Sequence, residues 1–220
     1  MEGYSITVIE PEIGDGLELK RLYEKRKRVI DIIGSFIGII LLFPIFLLVA
    51  ILIKLEDPKG KVFFIQKRVG KNGKEFNMIK FRSMVHDAED RLKELLKHNE
   101  VPGAMFKMKD DPRITKIGKF IRKTSIDELP QLFNVFKGEM SLVGPRPPLP
   151  REVETYNENH LQRLLITPGC TGLWQATERN NVGFEEMVQL DLYYLKNRTI
   201  LFDFKIIFMT IKIILIPNGE

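Results

Sequence analysis

Val29–Ile53 reads VIDIIGSFIGIILLFPIFLLVAILI, and the reading of this run decides the fold. As a helix rising ~1.5 Å per residue it reaches roughly 38 Å, more than the ~30 Å a hydrocarbon core requires. Hydropathy alone gives an ordinary transmembrane anchor. A secretory signal is disfavoured, because a long polar stretch precedes the run and no small-residue cleavage site follows it. Two features point to a re-entrant segment instead. Lys20, Arg21, Lys25, Arg26, Lys27 and Arg28 precede the run, and Lys54, Lys59, Lys61, Lys67 and Arg68 follow it. Cytoplasmic flanks collect Lys and Arg, so a spanning helix would put one basic set on the wrong side. Pro44, near the centre, removes a backbone donor and crowds the preceding turn, which kinks or breaks a helix. Bent there, both halves start and finish at the cytoplasmic interface. Asp31 then lies at headgroup level, out of the hydrocarbon where a carboxylate is expensive.

The remaining composition narrows the class. A length of 220 residues suits one domain with its own core. Apolar residues at 44% and charged residues at 29% exclude both a disordered chain and a polytopic membrane protein. The net charge of +5 suits an anionic partner: nucleic acid, an anionic lipid surface or a phosphorylated substrate. Cys170 is the single cysteine, which rules out an internal disulfide and fits a reducing compartment. His86, His98 and His160 form no pair at ligand spacing, so a His/Cys metal site is not expected.

Along the chain, Met1–Leu19 is an acidic lead-in, read as a mobile solvated tail. Val62–Gln66 and Phe76–Phe81, separated by Gly70, Asn72 and Gly73, read as a hairpin. Val85–Asn99 has the apolar spacing of an amphipathic helix, and Val101–Arg113 reads as a loop. Leu129–Phe136 and Glu152–Leu165 are expected helices. Gly144–Pro150, GPRPPLP, fits neither a helix interior nor a central strand. Glu185–Ile216 is mostly helical. Its end, Ile200–Leu215, is strongly apolar, but Asp203, Lys205 and Lys212 interrupt it too often for a span. It is either a core helix or an amphipathic helix lying in the interface. The expected fold is mainly α with a minor β-hairpin.

Thr124–Leu132, TSIDELPQL, carries the most chemistry. Ser125 followed by Glu128 has the spacing of a capping box, a purely structural device. With Ser125 as the cap, however, Pro130 falls inside the helix at a cost of ~3 kcal/mol. Starting the helix at Asp127 moves Pro130 into the first turn, where no donor is needed. Asp127 and Glu128 then share a helix N-terminus, whose dipole favours ionised carboxylates. Adjacent carboxylates repel, and a divalent cation relieves that; Mg2+ takes oxygen ligands together with substrate phosphates. Carboxylates also serve as nucleophiles toward phosphorus. Fixed positive charge for the transferred group is available from Lys80, Arg82, Arg113, Arg122 and Arg146, the last stiffened by flanking prolines. Any one of these alone reads as a solvated surface charge; their number around one acidic pair favours a site.

These stretches resemble the bacterial sugar transferases, the monotopic polyprenyl-phosphate phosphoglycosyl transferases. The likeness rests on KRVIDI, on FPIFLLVAILIKLEDPKGKVFFIQKRVGKNGKEFNMIKFRSM, on DDPRITKIGKFIRKTSIDELPQLFNVFKGEMSLVGPRPPLP, on TPGCTGLWQ and on FEEMVQLDLYYLKN, together nearly everything from Lys27 onward. The resemblance implies a monotopic membrane protein with a re-entrant helix broken near Pro44 and a cytoplasmic catalytic domain at the bacterial inner membrane. Within a domain of residues 20–220, residues 29–53 would form the re-entrant helix, 54–198 the catalytic portion and 199–216 an interfacial helix. It implies transfer of a phosphosugar from a UDP-sugar to polyprenyl phosphate with release of UMP. Asp127 would attack and hold the phosphosugar covalently, Glu128 and Asp127 would hold Mg2+, and Lys80, Arg82, Arg122 and Arg146 would engage phosphates. The bilayer is an implied partner, nucleic acid is not, and a homodimer is compatible with it. Large members carry a further N-terminal membrane domain, so this chain looks like a small member or an isolated catalytic half. After GLWQ the family usually continues VSGR, whereas Ala176–Arg179 here reads ATER, a departure that bears on sugar specificity rather than on the acidic pair.

Two rivals stay open. A non-catalytic basic membrane-surface protein explains the charge and the apolar run, but not an acidic pair amid arginines. Direct transfer in a ternary complex would leave Asp127 as a metal ligand only.

Overall fold

The computed structural model describes residues 15–88, 90, 91, 108, 111–177 and 183–215. The chain divides into two compact units. One comprises Met1–Leu41, Ile65–Ile79 and Gln131–Glu220, the other Leu42–Phe64 and Lys80–Pro130.

Helix α1 runs through both, from Asp15 to Glu56, and contains the apolar run. Its apolar side chains are exposed around much of its circumference, with Leu41 72% exposed. Such a surface calls for an apolar environment, and among the described residues this is the one helix long and apolar enough to cross a membrane. The break expected near Pro44 is not an end of the helix, because the backbone stays helical through it. Pro44 deletes a single bond, to the Ile40 carbonyl, and long helical arms on both sides survive one such loss. Of the acidic lead-in, residues 15–19 are helical and the rest lies outside the described residues, as does most of the helix expected over Val85–Asn99 and the loop after it.

The expected hairpin is present as β1 (Phe63–Val69) and β2 (Glu75–Phe81), paired in a two-stranded sheet. Asn72 and Gly73 take positive φ in the turn between them, which Asn and Gly accept with least strain. In chain order there follow α2 (Lys116–Lys123), α3 (Gln131–Lys137), β3 (Ser141–Val143), α4 (Pro150–Val153), α5 (Glu158–Leu161), β4 (Gly169–Thr171), α6 (Leu173–Thr177), α7 (Phe184–Asn197) and α8 (Ile200–Leu215). The single helix expected over Glu152–Leu165 is instead α4, α5 and a 3-10 turn, Gln162–Leu165. Asn157 accounts for the restart, its side chain accepting from the His160 amide at 2.9 Å, the arrangement in which Asn caps a helix best.

In the first unit, Val143, Ile166, Leu173, Ala176, Tyr194 and Ile206 form the core beneath the parallel pair β3–β4, with Ser141 opposite Gly169. Polar groups tie the start of α1 to this core. Arg28 donates to the Val135 and Phe136 carbonyls at the end of α3, at 2.6 and 2.7 Å. Asp31 accepts from Ser141 Oγ and the Leu142 amide at 3.0 and 2.9 Å. Asp203, one of the interruptions in α8, is buried with three donors: Lys27 Nζ at 2.9 Å, Tyr23 at 2.9 Å and Tyr194 at 2.6 Å. Helix α8 therefore has one core face, with Asp203 and Ile206, and one exposed apolar stripe of Leu201, Phe204, Phe208 and Ile211.

In the second unit, the Phe81 ring lies 5.4 Å from both Phe46 and Phe63, and Val49, Ile53 and Ile121 are buried.

Candidate active site

The acidic pair belongs to the second unit, on a 3-10 turn, Ile126–Glu128, between α2 and α3. The sequence that makes this turn is short-range. Thr115 caps α2 by accepting from the Gly118 amide at 2.9 Å, and Thr124 closes it with Oγ1 on the Phe120 carbonyl at 2.9 Å. Ser125 then takes the left-handed conformation, φ 58°, and makes no side-chain cap bond. The capping box is thus not formed. Buried Pro130 has no amide to extend the turn, and α3 starts one residue later. Asp127 and Glu128 precede α3 rather than opening it, so its dipole, which fades within a turn, acts on them less than the sequence suggested.

Four of the predicted residues meet here. Lys80, near the end of β2, donates to Glu128 Oε1 at 2.7 Å, with side-chain exposures of 16% and 31%. Burial pushes Asp127 up to about 6; Lys80 and Arg122 oppose the rise and the Glu128 charge adds to it. Arg122 sits in the last turn of α2 and is solvent-exposed. A half-buried carboxylate beside a second one, faced by two cations, suits a nucleophile or metal ligand working on phosphate oxygens.

The other cations are used differently. Arg82 is buried and gives Nη1 to Asp57 Oδ2 at 2.6 Å and Nη2 to the Asp57 carbonyl at 2.8 Å. Arg113 is buried against Asp111, Nη2 to Oδ2 2.7 Å, which holds the Asp111 carboxyl below its ordinary value. Arg146 belongs to the first unit. There Gly144–Leu149 is an extended segment pinned by its carbonyls: Pro145 to the Gly169 amide, Pro147 to Arg68 and Pro148 to the Val69 amide, at 2.9, 3.0 and 2.9 Å. Its prolines 145, 147 and 148 are buried while Arg146 is only half-buried. Gly144 is required by close approach, since a Cβ there would lie 2.6 Å from the Thr167 carbonyl oxygen. The left-handed Ser125 and the pairing of Asp57 with Arg82 escaped the sequence reading; a charged LEDPKG turn directly after an apolar helix was the available signal for the second.

Among the described residues no group of three or more His, Cys, Asp or Glu side chains stands ready to hold a metal. The acidic pair is a two-carboxylate set, which is the donor set Mg2+ takes when substrate phosphates complete its shell.

The described chain thus joins a helix long and apolar enough to cross a membrane to a domain in which an acidic pair lies among cations. The chain belongs to the bacterial sugar transferase family, whose pattern it matches over residues 22–217. It is 48% identical to the galactosyl transferase CpsE of Streptococcus agalactiae, with 99% of this chain and 47% of that protein aligned. It is 45% identical to the undecaprenyl-phosphate galactose phosphotransferase of Salmonella typhimurium, over 91% of this chain and 42% of that one. Identity to the exopolysaccharide production protein ExoY of Sinorhizobium fredii is 40%, over 88% and 87%. The chain spans less than half the length of the first two of these relatives.

Proposed function

We propose that this chain transfers a sugar 1-phosphate from a UDP-sugar to undecaprenyl phosphate at the cytoplasmic face of the bacterial inner membrane. The products are UMP and a polyprenyl-diphospho-sugar, the starting unit for exopolysaccharide or capsule. The observation that carries this reading is Asp127 raised by burial next to Glu128, with Lys80 2.7 Å from Glu128 and Arg122 acting on Asp127. Two of the relatives, a galactosyl transferase and an undecaprenyl-phosphate galactose phosphotransferase, support the class.

The ionised Asp127 carboxylate attacks the sugar-bearing phosphorus; the bond to the bridging oxygen breaks and its electron pair leaves with UMP. A phosphate oxygen of the lipid then attacks the same phosphorus, the carboxylate departs, and Asp127 is restored. Lys80 and Arg122 face the phosphate oxygens. Asp127 and Glu128 would hold Mg2+, which when bound neutralises charge on the diphosphate.

The same reading has α1 entering and leaving by one face. Arg28 is bonded to α3, and Glu56 is bonded to the first amides of α2, at 2.7 and 3.0 Å. The basic flanks at both ends of the apolar run and Pro44 within it support that arrangement.

Enzyme incubated with UDP-sugar and no lipid acceptor should release up to one equivalent of UMP and gain one sugar-phosphate mass on the peptide bearing Asp127. Chelator should suppress both, and Mg2+ should restore them. UMP released only when polyprenyl phosphate is present, with no adduct, would establish direct transfer instead.

A further inference from the structure

A cluster of polar contacts at the end of α1 has no part in the chemistry above, yet it grips both elements that carry Lys80 and Arg122. Asp57 follows the last helical residue. Besides the two Arg82 bonds, its Oδ2 accepts the His86 amide at 2.9 Å and faces His86 Nδ1 at 3.3 Å. Gly60 forms the opposite wall, where a Cβ would lie 1.5 Å from Arg82 Nη1. Only glycine leaves room for the guanidinium. Glu56, beside Asp57, places Oε1 on the Lys116 amide and Oε2 on the Ile117 amide. Amides in the first turn of a helix have no helical partner, so this one carboxylate satisfies two of them and Thr115 a third.

Both grips lead to the acidic pair. Lys80 is two residues before Arg82, the spacing at which extended chain returns to the same side, so fixing Arg82 fixes the direction of Lys80. Arg122 rides at the far end of α2. The two strings are stitched together as well, by Val85 N to the Arg113 carbonyl at 2.9 Å and Thr115 N to the Ser83 carbonyl at 3.2 Å. We propose that Glu56 and Asp57 are positioning residues that, through α2 and through Arg82, set the spacing of Arg122 and Lys80 about Asp127 and Glu128. The inference rests on the transferase reading above. It assigns Arg82 a place behind the site instead of on the substrate phosphates, and it makes the end of the membrane helix part of the catalytic frame.

The test is pre-steady-state UMP release by the whole chain in lipid nanodiscs, with UDP-sugar and no acceptor. Asp57→Asn and Gly60→Ala disturb the cluster from opposite sides, and Glu56→Gln, at an exposed residue, guards against variants that fail to fold. Each should slow release by about 10- to 100-fold, the scale of a small misplacement at a reacting centre, while the amount released per folded protein holds. In a Lys80→Arg background, Asp57→Asn should cost no more than about threefold further, and Glu56→Gln likewise in an Arg122→Lys background, because effects that share one route do not add. Full additivity, or a loss of amplitude at unchanged rate, would overturn the proposal and leave Glu56 and Asp57 as parts of the fold alone. Wild-type protein silent toward every UDP-sugar would overturn the transferase reading and this inference with it.

Discussion

A carboxylate that attacks phosphorus has to be ionised, yet burial pushes Asp127 up to about 6. Lys80 and Arg122 hold the rise down, and Glu128 adds to it. On the proposed mechanism the site trades stability for a desolvated nucleophile. The folded-state value lies above the unfolded one of about 3.9, so the native protein carries this cost in full above pH 6. The cost disappears as the pH falls from about 6 to 4. Asp127→Asn removes the charge and should stabilise the chain at pH 7.5 by about 1–2 kcal/mol, an advantage that shrinks toward pH 4. Urea melts in chelator measure it, and an unchanged or lowered midpoint at pH 7.5 would mean that Asp127 is better solvated than its surroundings indicate. For the same reason, UMP release in one turnover should fall tenfold per pH unit below about 6.

What could be read in advance at the level of elements was whatever local signals govern. The β1–β2 hairpin follows from Gly70–Gly73, and α3 from the short apolar pattern of Leu129–Phe136, whereas the helix α2 was not foreseen. The acidic pair and its Lys80 and Arg122 partners were legible because charge chemistry survives errors in backbone assignment. The β3–β4 pair was not, since Ser141 and Gly169 meet only through tertiary packing and three-residue strands leave no periodicity. For α8 the sequence left two readings, core helix or interfacial helix, and the helix has a core face together with an exposed apolar stripe. Asp203 turns inward to Lys27, Tyr23 and Tyr194, while Leu201 and Phe208 stand 81% and 68% exposed on the other side. An apolar stripe of that kind suits the boundary between headgroups and acyl chains. With Trp174, the only tryptophan, replaced by Phe, a Phe208→Trp probe should be quenched by lipids brominated near the glycerol and shielded from acrylamide. Free quenching by acrylamide with no effect of bromolipid would put the stripe in water.

The whole molecule is constrained most by α1, because both ends of its apolar run are bonded to polar elements. Arg28 donates to the Val135 and Phe136 carbonyls at the end of α3, and Glu56 accepts from the first amides of α2. The proposed entry and exit by one face calls for a bend in α1, which Pro44 makes possible by removing one helical bond. Lys25 and Lys59 are exposed on either side of the run and serve as reporters. In a Cys170→Ser background, Lys25→Cys and Lys59→Cys should both react with an impermeant maleimide in inverted membrane vesicles, and neither should react in intact spheroplasts. Reaction from opposite sides would sink the re-entrant arrangement. Pro44→Leu restores the amide to the Ile40 carbonyl and relieves the crowding, so it should move a fraction of molecules to a spanning state. Those molecules would show one reporter from each side.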